Sequence, residues 1–362
     1  MLSFGLMTLN KNNEQTYFFE LARRAHHFGI ECFRFIPSLI NPSTEKVNGD
    51  RFNPITSEWE PSEFPIPDVL YDRCFYGEDT HSKQCMAIVK WLKTRNDITF
   101  LGYGLPNKLE LYEALQHSNL APYLPKSKPL TSGESLIQEL VAREPVVIKP
   151  VNGSQGHGIY YLEKAGKELI VRTDKRDKQI TRTFTNIPDV ISWLNQLIEK
   201  RSYLIQPYFE LTNRSNHPFD IRTLLQKEEN GIWTEIGKGI RTGKEGGIIS
   251  NVSAGGTITT FDSWLNSLPS SQREFLHSEI KDILKSIPKI AEQEFPPLFE
   301  LGVDIGVAKN GSVWILDINS KPGRKVVLET QPELSEKIYT APLHFAKAIT
   351  NSEEKVQHFS RR

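Results

Sequence analysis

The chain opens on an apolar run, LSFGLMTL at 2–9. It is followed by EQTYFFELARRAHHF at 14–28, whose apolar residues recur every three to four positions. The first pattern suits a buried strand and the second an amphipathic helix, with Gly29 as its stop. IECFRFIP at 30–37 returns to a strand pattern. Strand, helix and strand in that order favour parallel pairing through a right-handed crossover. Residues 40–66 are rich in Pro, Asn, Ser and Glu and read as a long loop or excursion. DVLYDR at 68–73 reads as a strand, 80–94 as a helix and ITFLGY at 98–103 as a strand. Together they predict a small Rossmann-like α/β domain over residues 1–105. No GxGxxG follows the first strand, which argues against a dinucleotide site there.

A second series of elements begins near Pro106. NKLELYEALQH at 107–117 reads as a helix with Asn107 as N-cap, and 133–142 as another. VVIKP at 146–150 and IYYLE at 159–163 are rich in β-branched and aromatic residues and read as strands. IPDVISWLNQLIEK at 187–200 reads as a helix. Beyond SYLIQPYFE at 202–210 long strands predominate: DIRTLLQKE, IWTEIGKGIRT, LGVDIGVAK and SVWILDINS. Residues 271–295 read as one long helix capped by the serine pair at 270–271, and the last ~15 residues as a polar, frayed tail. The fold class is α/β (α+β), without internal repeats.

Composition narrows the function classes. A length of 362 residues allows two or three domains. Lys plus Arg and Asp plus Glu each number 44, so charge alone points to neither nucleic acid nor membrane as a partner. The three cysteines, Cys32, Cys74 and Cys85, are sparse and odd in number, as in a reducing compartment. His81 and Cys85 stand four apart, but no second pair completes a zinc set. MLSFGLMTLN has no basic n-region and reads as a buried first strand rather than a signal peptide. No run reaches the ~18 apolar residues of a membrane span. The expected location is the cytoplasm, so the Asn-X-Ser matches at 152, 213, 251 and 310 carry no weight.

The candidate chemistry begins between the strands at 146–150 and 159–163. NGSQGHG is too long for a two-residue hairpin turn and too glycine-rich for a helix. Its backbone N–H groups can approach an anion closely, and Lys149 stands at its base. The loop reads either as a lid over phosphates or as a plain surface hairpin. LGVDIGVAKNGSVWILDINSKPG at 301–323 reads as a hairpin turning near Asn310-Gly311. That turn places Asp304 opposite Asp317, and the strand period puts Asn319 on the same face as Asp317. Adjacent carboxylates repel unless a cation joins them, and hard oxygen ligands suit Mg²⁺. The alternative pairs Asp304 with a core arginine and leaves Asp317 and Asn319 at a strand edge. DIRTLLQ places Asp220 and Arg222 on one strand face, and Arg241 and Asn251 follow in a second glycine-rich region. Arginines there grip carboxylate or phosphate through paired donors, or face solvent. GKGIRTGKE is not a P-loop, since Lys238 and Glu245 occupy two of its fixed positions. Kinase HRD and DFG signatures are absent.

The order of these parts resembles the ATP-grasp superfamily after about residue 100. More narrowly, YDR at 71–73, IKPVNGSQGHGI, DIR, SNVSAGG and LGVDIGV…ILDINSKPG resemble the YheC/YheD family of endospore coat-associated proteins. The resemblance implies a pre-ATP-grasp domain at 1–105, a central subdomain at 106–203, a C-terminal subdomain at 204–350 and a polar tail at 351–362. It implies ATP and Mg²⁺ as cofactors. Lys108 and Lys149 match the phosphate-binding lysines, and Ser154, Gln155, Gly156, His157 and Gly158 match the flap. Gln206, Pro207, Tyr208 and Phe209 match the hinge strand that reads adenine, with Gln206 where glutamate is frequent. Arg222 and Arg241 match residues that stabilise the transferring phosphate or hold the acceptor. Asp304, Asp317 and Asn319 match the metal ligands, with Asp317 where glutamate is commonest.

The implied activity is ATP-dependent carboxylate–amine (or thiol) ligation through an acyl phosphate. Its substrates would be small-molecule or peptide carboxylates and amines, without nucleic acid or membrane. The other reading the resemblance carries is a nucleotide-binding or inactive ATP-grasp scaffold located at the endospore coat, with coat proteins as partners.

Overall fold

The structure is a computed structural model that describes residues 1–142, 145–153, 158–175, 178–250 and 256–360. The first sheet is built from β1 (Leu2–Met7), β2 (Ile30–Phe35), β3 (Ile40–Asn41), β4 (Lys46–Asn53), β5 (Glu58–Pro65), β6 (Val69–Asp72) and β7 (Thr99–Phe100). Strands β1, β2, β6 and β7 run parallel, as the strand–helix–strand pattern predicts. Helices α1 (Gln15–Ala25) and α2 (Thr80–Leu92) supply crossovers. A 3-10 turn, His26–Phe28, extends α1 to Gly29, whose φ of 69° ends the helix in the left-handed region.

The stretch expected as a loop at 40–66 is instead ordered strand. β4 and β5 form a hairpin in continuous register from Lys46↔Pro65 to Asn53↔Glu58. Pro61 and Pro65 obscure it in the sequence, but β5 pairs only with β4, and an edge strand tolerates proline. Inward positions Val47 and Phe52 anchor the hairpin, while Asn53 Oδ1 accepts from Ile55 and Thr56 N–H groups to shape its tip.

After α3 (Lys108–Leu115), the second sheet is antiparallel. It comprises β8 (Lys128–Leu130), β9 (Val146–Pro150), β10 (Tyr160–Ala165), β11 (Glu168–Lys175), β12 (Lys178–Phe184) and β13 (Tyr203–Pro207), in the order β12-β11-β10-β9-β13-β8. Helices α4 (Gly133–Ala142) and α5 (Ile187–Lys200) cover it, with Leu136, Leu140, Val190 and Leu194 packed on Val146, Ile148 and Leu162.

The third sheet is also antiparallel, in the order β16-β15-β14-β17-β18. Its strands are β14 (Phe219–Lys227), β15 (Trp233–Thr242), β16 (Thr257–Thr260), β17 (Glu300–Val307) and β18 (Val313–Asn319). Between β16 and β17 run α6 (Phe261–Ser267) and α7 (Ser270–Glu294). Ile280, Ile283 and Ile287 of α7 pack on Ile221, Leu225, Val303 and Ile305. Helix α7 lacks the expected serine cap, because Pro269 occupies the N-cap position without a side-chain bond.

The chain ends in α8 (Lys325–Thr330) and α9 (Ser335–Ser360). The expected frayed tail is thus helical to Ser360, and the pattern reading assigned no element at 325–350. Ile338, Leu343 and Phe345 of α9 share a core with Phe4, Leu6, Phe18 and Val69 of the first layer and Leu224 and Ile236 of the third sheet. That shared apolar core holds the first and third sheets together.

Candidate functional site

Between the second and third sheets lies a cleft whose wall includes Lys108, Lys149, Gln206, Leu316 and Asp317. Four expected positions, far apart in sequence, therefore meet. Lys108 is the first residue of α3, placed there because Asn107 Oδ1 accepts from the Leu109 and Glu110 N–H groups at 3.0 and 3.1 Å. Its ammonium pairs with the Asp317 carboxylate. Lys149 sits on β9, opposite Leu204 of β13. Burial, and secondarily the charge of Lys108, push its pKa down to about 8, against the opposing pull of Asp317 and Asp304.

The acidic hairpin has the expected register. Asp304 stands opposite Asp317, and Asn319 opposite Gly302. A bulge follows at once, because Ile305 pairs with Ile315 and leaves Leu316 as the extra residue on β18. Gly302 has a steric reason: a Cβ there would stand 2.7 Å from Pro322 Cβ and 3.1 Å from both Arg222 Nη1 and Asn319 Nδ2.

Arg222 and Arg241 arrive from β14 and β15. Arg222 is opposite Asp304, and Arg241 opposite Asp220. Arg241 chelates Asp220 through Nε and Nη2 at 2.7 and 2.6 Å and reaches Asp304 Oδ2 at 2.9 Å. Arg222 Nη1 stands 2.7 Å from Asp304 Oδ1. Those two atoms are buried and meet as an ion pair without an aligned hydrogen bond. Burial alone would raise the Asp304 carboxyl, but Arg222 and Arg241 more than offset it and hold its pKa below the ordinary value. Burial wins at Asp220, whose pKa is raised despite Arg241, with the Asp304 charge adding to the rise. Four cations thus face three carboxylates here, an excess of one positive charge that favours an anionic ligand.

The hinge residues divide. Gln206 is buried on β13 and its amide donates to Ser127 Oγ at 2.6 Å. Pro207 pairs with Val146, and the Tyr208 N–H donates to the Pro145 carbonyl at 2.9 Å. Phe209 stacks on Trp314 with centroids 4.0 Å apart. Of the expected flap, Gly158 has φ 78°, in the left-handed region that favours glycine. Ser154, Gln155, Gly156 and His157 lie outside the described residues, as does Asn251.

Mg²⁺ fits the donor set in kind: two carboxylates and an amide oxygen on neighbouring strand positions are hard ligands. Among the described residues no three His, Cys, Asp or Glu side chains gather as a metal group, so further oxygens would have to come from water or a bound phosphate. His81 and Cys85 touch at 3.8 Å within α2, and no third ligand joins them among the described residues.

Sequence reasoning gave no role to a buried network beside this site. Arg73, 1% exposed, donates to both oxygens of Glu14 at 2.7 and 2.6 Å, to Glu300 at 2.7 Å and to the Pro322 carbonyl at 3.0 Å. Arg324 donates to Glu300 at 2.7 Å and to the Tyr71 hydroxyl at 2.5 Å. Glu300 begins β17, and Pro322 and Arg324 follow β18, so the network clamps the end of the acidic hairpin to β6. Its one sequence signal was the Tyr-Asp-Arg triplet at 71–73.

Two antiparallel sheets that hold a cleft between Lys149 of one and the carboxylates of the other, with Lys108 of α3 beside them, have the arrangement of the ATP-grasp class. The D-alanine–D-alanine ligase from Coxiella burnetii superposes over 100% of this chain and 99% of its own, with a TM-score of 0.55 at 11% identity, which is a likeness of fold. The sequence model of the family described as YheC/D-like ATP-grasp matches residues 97–349. Over 346 residues the chain is 40% identical to the endospore coat-associated protein YheC of Bacillus subtilis (strain 168), covering 95% of this chain and 94% of that protein. It is 28% identical over 317 residues to YheD of the same strain, covering 86% and 68%. The chain belongs to the YheC/D-like ATP-grasp family.

Proposed function

We propose that the chain is an ATP- and Mg²⁺-dependent carboxylate–amine (or thiol) ligase. The observation that carries this reading is the meeting of Lys108, Lys149, Arg222 and Arg241 with Asp304 and Asp317 between two sheets. In the proposed reaction a substrate carboxylate oxygen displaces ADP from the γ-phosphorus of ATP to give an acyl phosphate, and an amine then attacks the acyl carbon and expels phosphate.

The chain's own task is placement and charge neutralisation. Lys149 and Lys108 would hold phosphate oxygens from two elements, with Gly158 at the base of the flap. Gln206, fixed by Ser127, would face the base end of the cleft. Arg241, oriented by Asp220, and Arg222 would take charge developing on the transferring phosphoryl group or on the acceptor carboxylate. Asp304, Asp317 and Asn319 would hold Mg²⁺, which shields phosphate charge when bound. No side chain is assigned as a general base. Substrates would be small-molecule or peptide carboxylates and amines.

The endospore coat is proposed as a location on the printed name of the YheC relative. Among the described residues no helix is long and apolar enough to cross a membrane.

One observation favours a second reading, an inactive scaffold for coat assembly: Asp304 is already neutralised by Arg222 and Arg241, and Asp317 by Lys108. The discriminating experiment screens amino acids and short peptides for ATP-dependent product by mass spectrometry, with Lys149→Ala as control. Product lost in that variant supports the ligase. Unchanged turnover would remove Lys149 from the mechanism. Nucleotide binding without any product favours the scaffold.

A further inference from the structure

The second and third sheets are tied at a place that the proposed mechanism does not use. The end of β11 lies beside the base of the flap, where Thr173 Oγ1 donates to the Ile159 carbonyl at 2.7 Å. From there Asp174 reaches residues 243–250, which follow β15 of the third sheet. Asp174 Oδ2 accepts two consecutive backbone N–H groups, from Ile248 at 2.8 Å and Ile249 at 3.2 Å. Gln179 Nε2 on β12 donates to the Gly246 carbonyl at 2.9 Å. Two N–H groups converging on one carboxylate oxygen make a charge-assisted tie, stronger than a neutral contact.

The same loop is folded tightly on its own subdomain. The Gly243 N–H donates to the Pro218 carbonyl at 2.7 Å, and His217 Nδ1 donates to the Gly243 carbonyl at 3.0 Å. A Cβ on Gly243 would stand 2.4 Å from the Ile249 carbonyl oxygen, so the turn closes only around glycine. One residue after Ile249, the Ser250 hydroxyl donates to Asp220 Oδ2. Asp220 chelates Arg241, and Arg241 reaches Asp304. Polar contacts, joined by the backbone bond between Ile249 and Ser250, therefore run from Asp174 on the second sheet to the acidic hairpin of the third.

We infer that Asp174 is a positioning residue: it straps residues 243–250 across the flap end of the cleft and, through Ser250 and Asp220, sets the side chain of Arg241. The inference rests on the proposed nucleotide site. Opening the two sheets breaks the bonds at Ile248 and Ile249, so the strap couples cleft closure to the placement of Arg241. Asp174 is half-buried and belongs to none of the apolar cores.

The test compares wild type, Asp174→Ala and Asp174→Asn in the full chain. Hydrogen exchange is followed by mass spectrometry without nucleotide, and the affinity for a non-hydrolysable β,γ-imido ATP, which carries the γ-phosphate that Arg241 would meet, is measured by calorimetry with Mg²⁺. Asp174→Ala is expected to speed exchange at residues 245–250 at least several-fold and to weaken the imido nucleotide about tenfold, equivalent to ~1.4 kcal/mol. Asp174→Asn, which keeps an acceptor oxygen but loses the charge, is expected to restore part of both. Faster exchange with unchanged nucleotide affinity would overturn the positioning role, since Asp174 would then only hold a surface turn. Unchanged exchange would overturn the strap itself. A wild-type chain that binds neither the imido nucleotide nor ADP would instead defeat the nucleotide reading, before any variant is compared.

Discussion

Lys149 shows how a single residue acquires its properties from its surroundings. An ordinary lysine keeps its charge to about pH 10, but burial and Lys108 bring Lys149 to about 8. The folded chain therefore binds fewer protons than the unfolded chain between about pH 8 and the ordinary lysine value. In that window this group makes stability rise with pH, and below it the charged lysine carries a constant penalty. Nucleotide binding should run the other way. Phosphate requires the ammonium, so ADP affinity should fall as pH rises through about 8, and Lys149→Arg should flatten that fall. Calorimetric titrations from pH 6.5 to 9.5 would check it, and identical profiles for both proteins would show that Lys149 does not touch the ligand. The lysine was legible in sequence as a lone cation ending an apolar run. Its lowered pKa was not, because it comes first from burial that only the assembled fold imposes, and then from Lys108, which is remote in sequence.

At the scale of elements, the acidic hairpin was the most readable part of the chain. A strand period of two and an Asn-Gly turn predict Asp304 opposite Asp317; the observed loop is one residue longer, with Val307 opposite Val313, and the bulge at Leu316 restores that pairing. The register of β14 against β17 was not readable, since antiparallel neighbours separated by a long connection carry no local signal. That register turns the hairpin into a self-neutralised cluster, with Arg222 and Arg241 on Asp304 and Lys108 on Asp317. It follows that a divalent cation competes with three fixed cations until phosphates draw them away. Mn²⁺, followed by electron paramagnetic resonance, should bind weakly alone and at least about tenfold more tightly with ADP present. Asp317→Asn should abolish the enhancement. Equal Mn²⁺ affinity with and without nucleotide would contradict the competition. The hairpin of β4 and β5 was missed for a different reason: an edge strand need not alternate cleanly and accepts the prolines that usually deny a strand.

Across the whole molecule, the first layer is fastened to the third sheet by an apolar core and by the Arg73 network. Apolar runs forecast such a core, but no local pattern forecasts that Glu14, Arg73, Glu300 and Arg324 meet, because they are spread over more than 300 positions. Breaking a buried ion pair leaves an uncompensated charge, at a cost of about 3–5 kcal/mol. Arg73→Met should therefore lower the unfolding free energy by that order in a urea titration, and Arg73→Met with Glu300→Gln should recover part of the loss. A surface-like change below about 0.5 kcal/mol would show that the network is not holding the layers together.

The central claim is that the cleft between the second and third sheets binds nucleotide through Lys149 and its partners. The most direct test is calorimetric titration of ADP and ATP, with Mg²⁺, into the wild-type chain and Lys149→Ala. The account predicts micromolar binding to the wild type and a loss of roughly 10- to 100-fold in the variant, as for a lost hydrogen bond to a charged group. No binding to the wild type at millimolar nucleotide, or equal binding by both proteins, would contradict it.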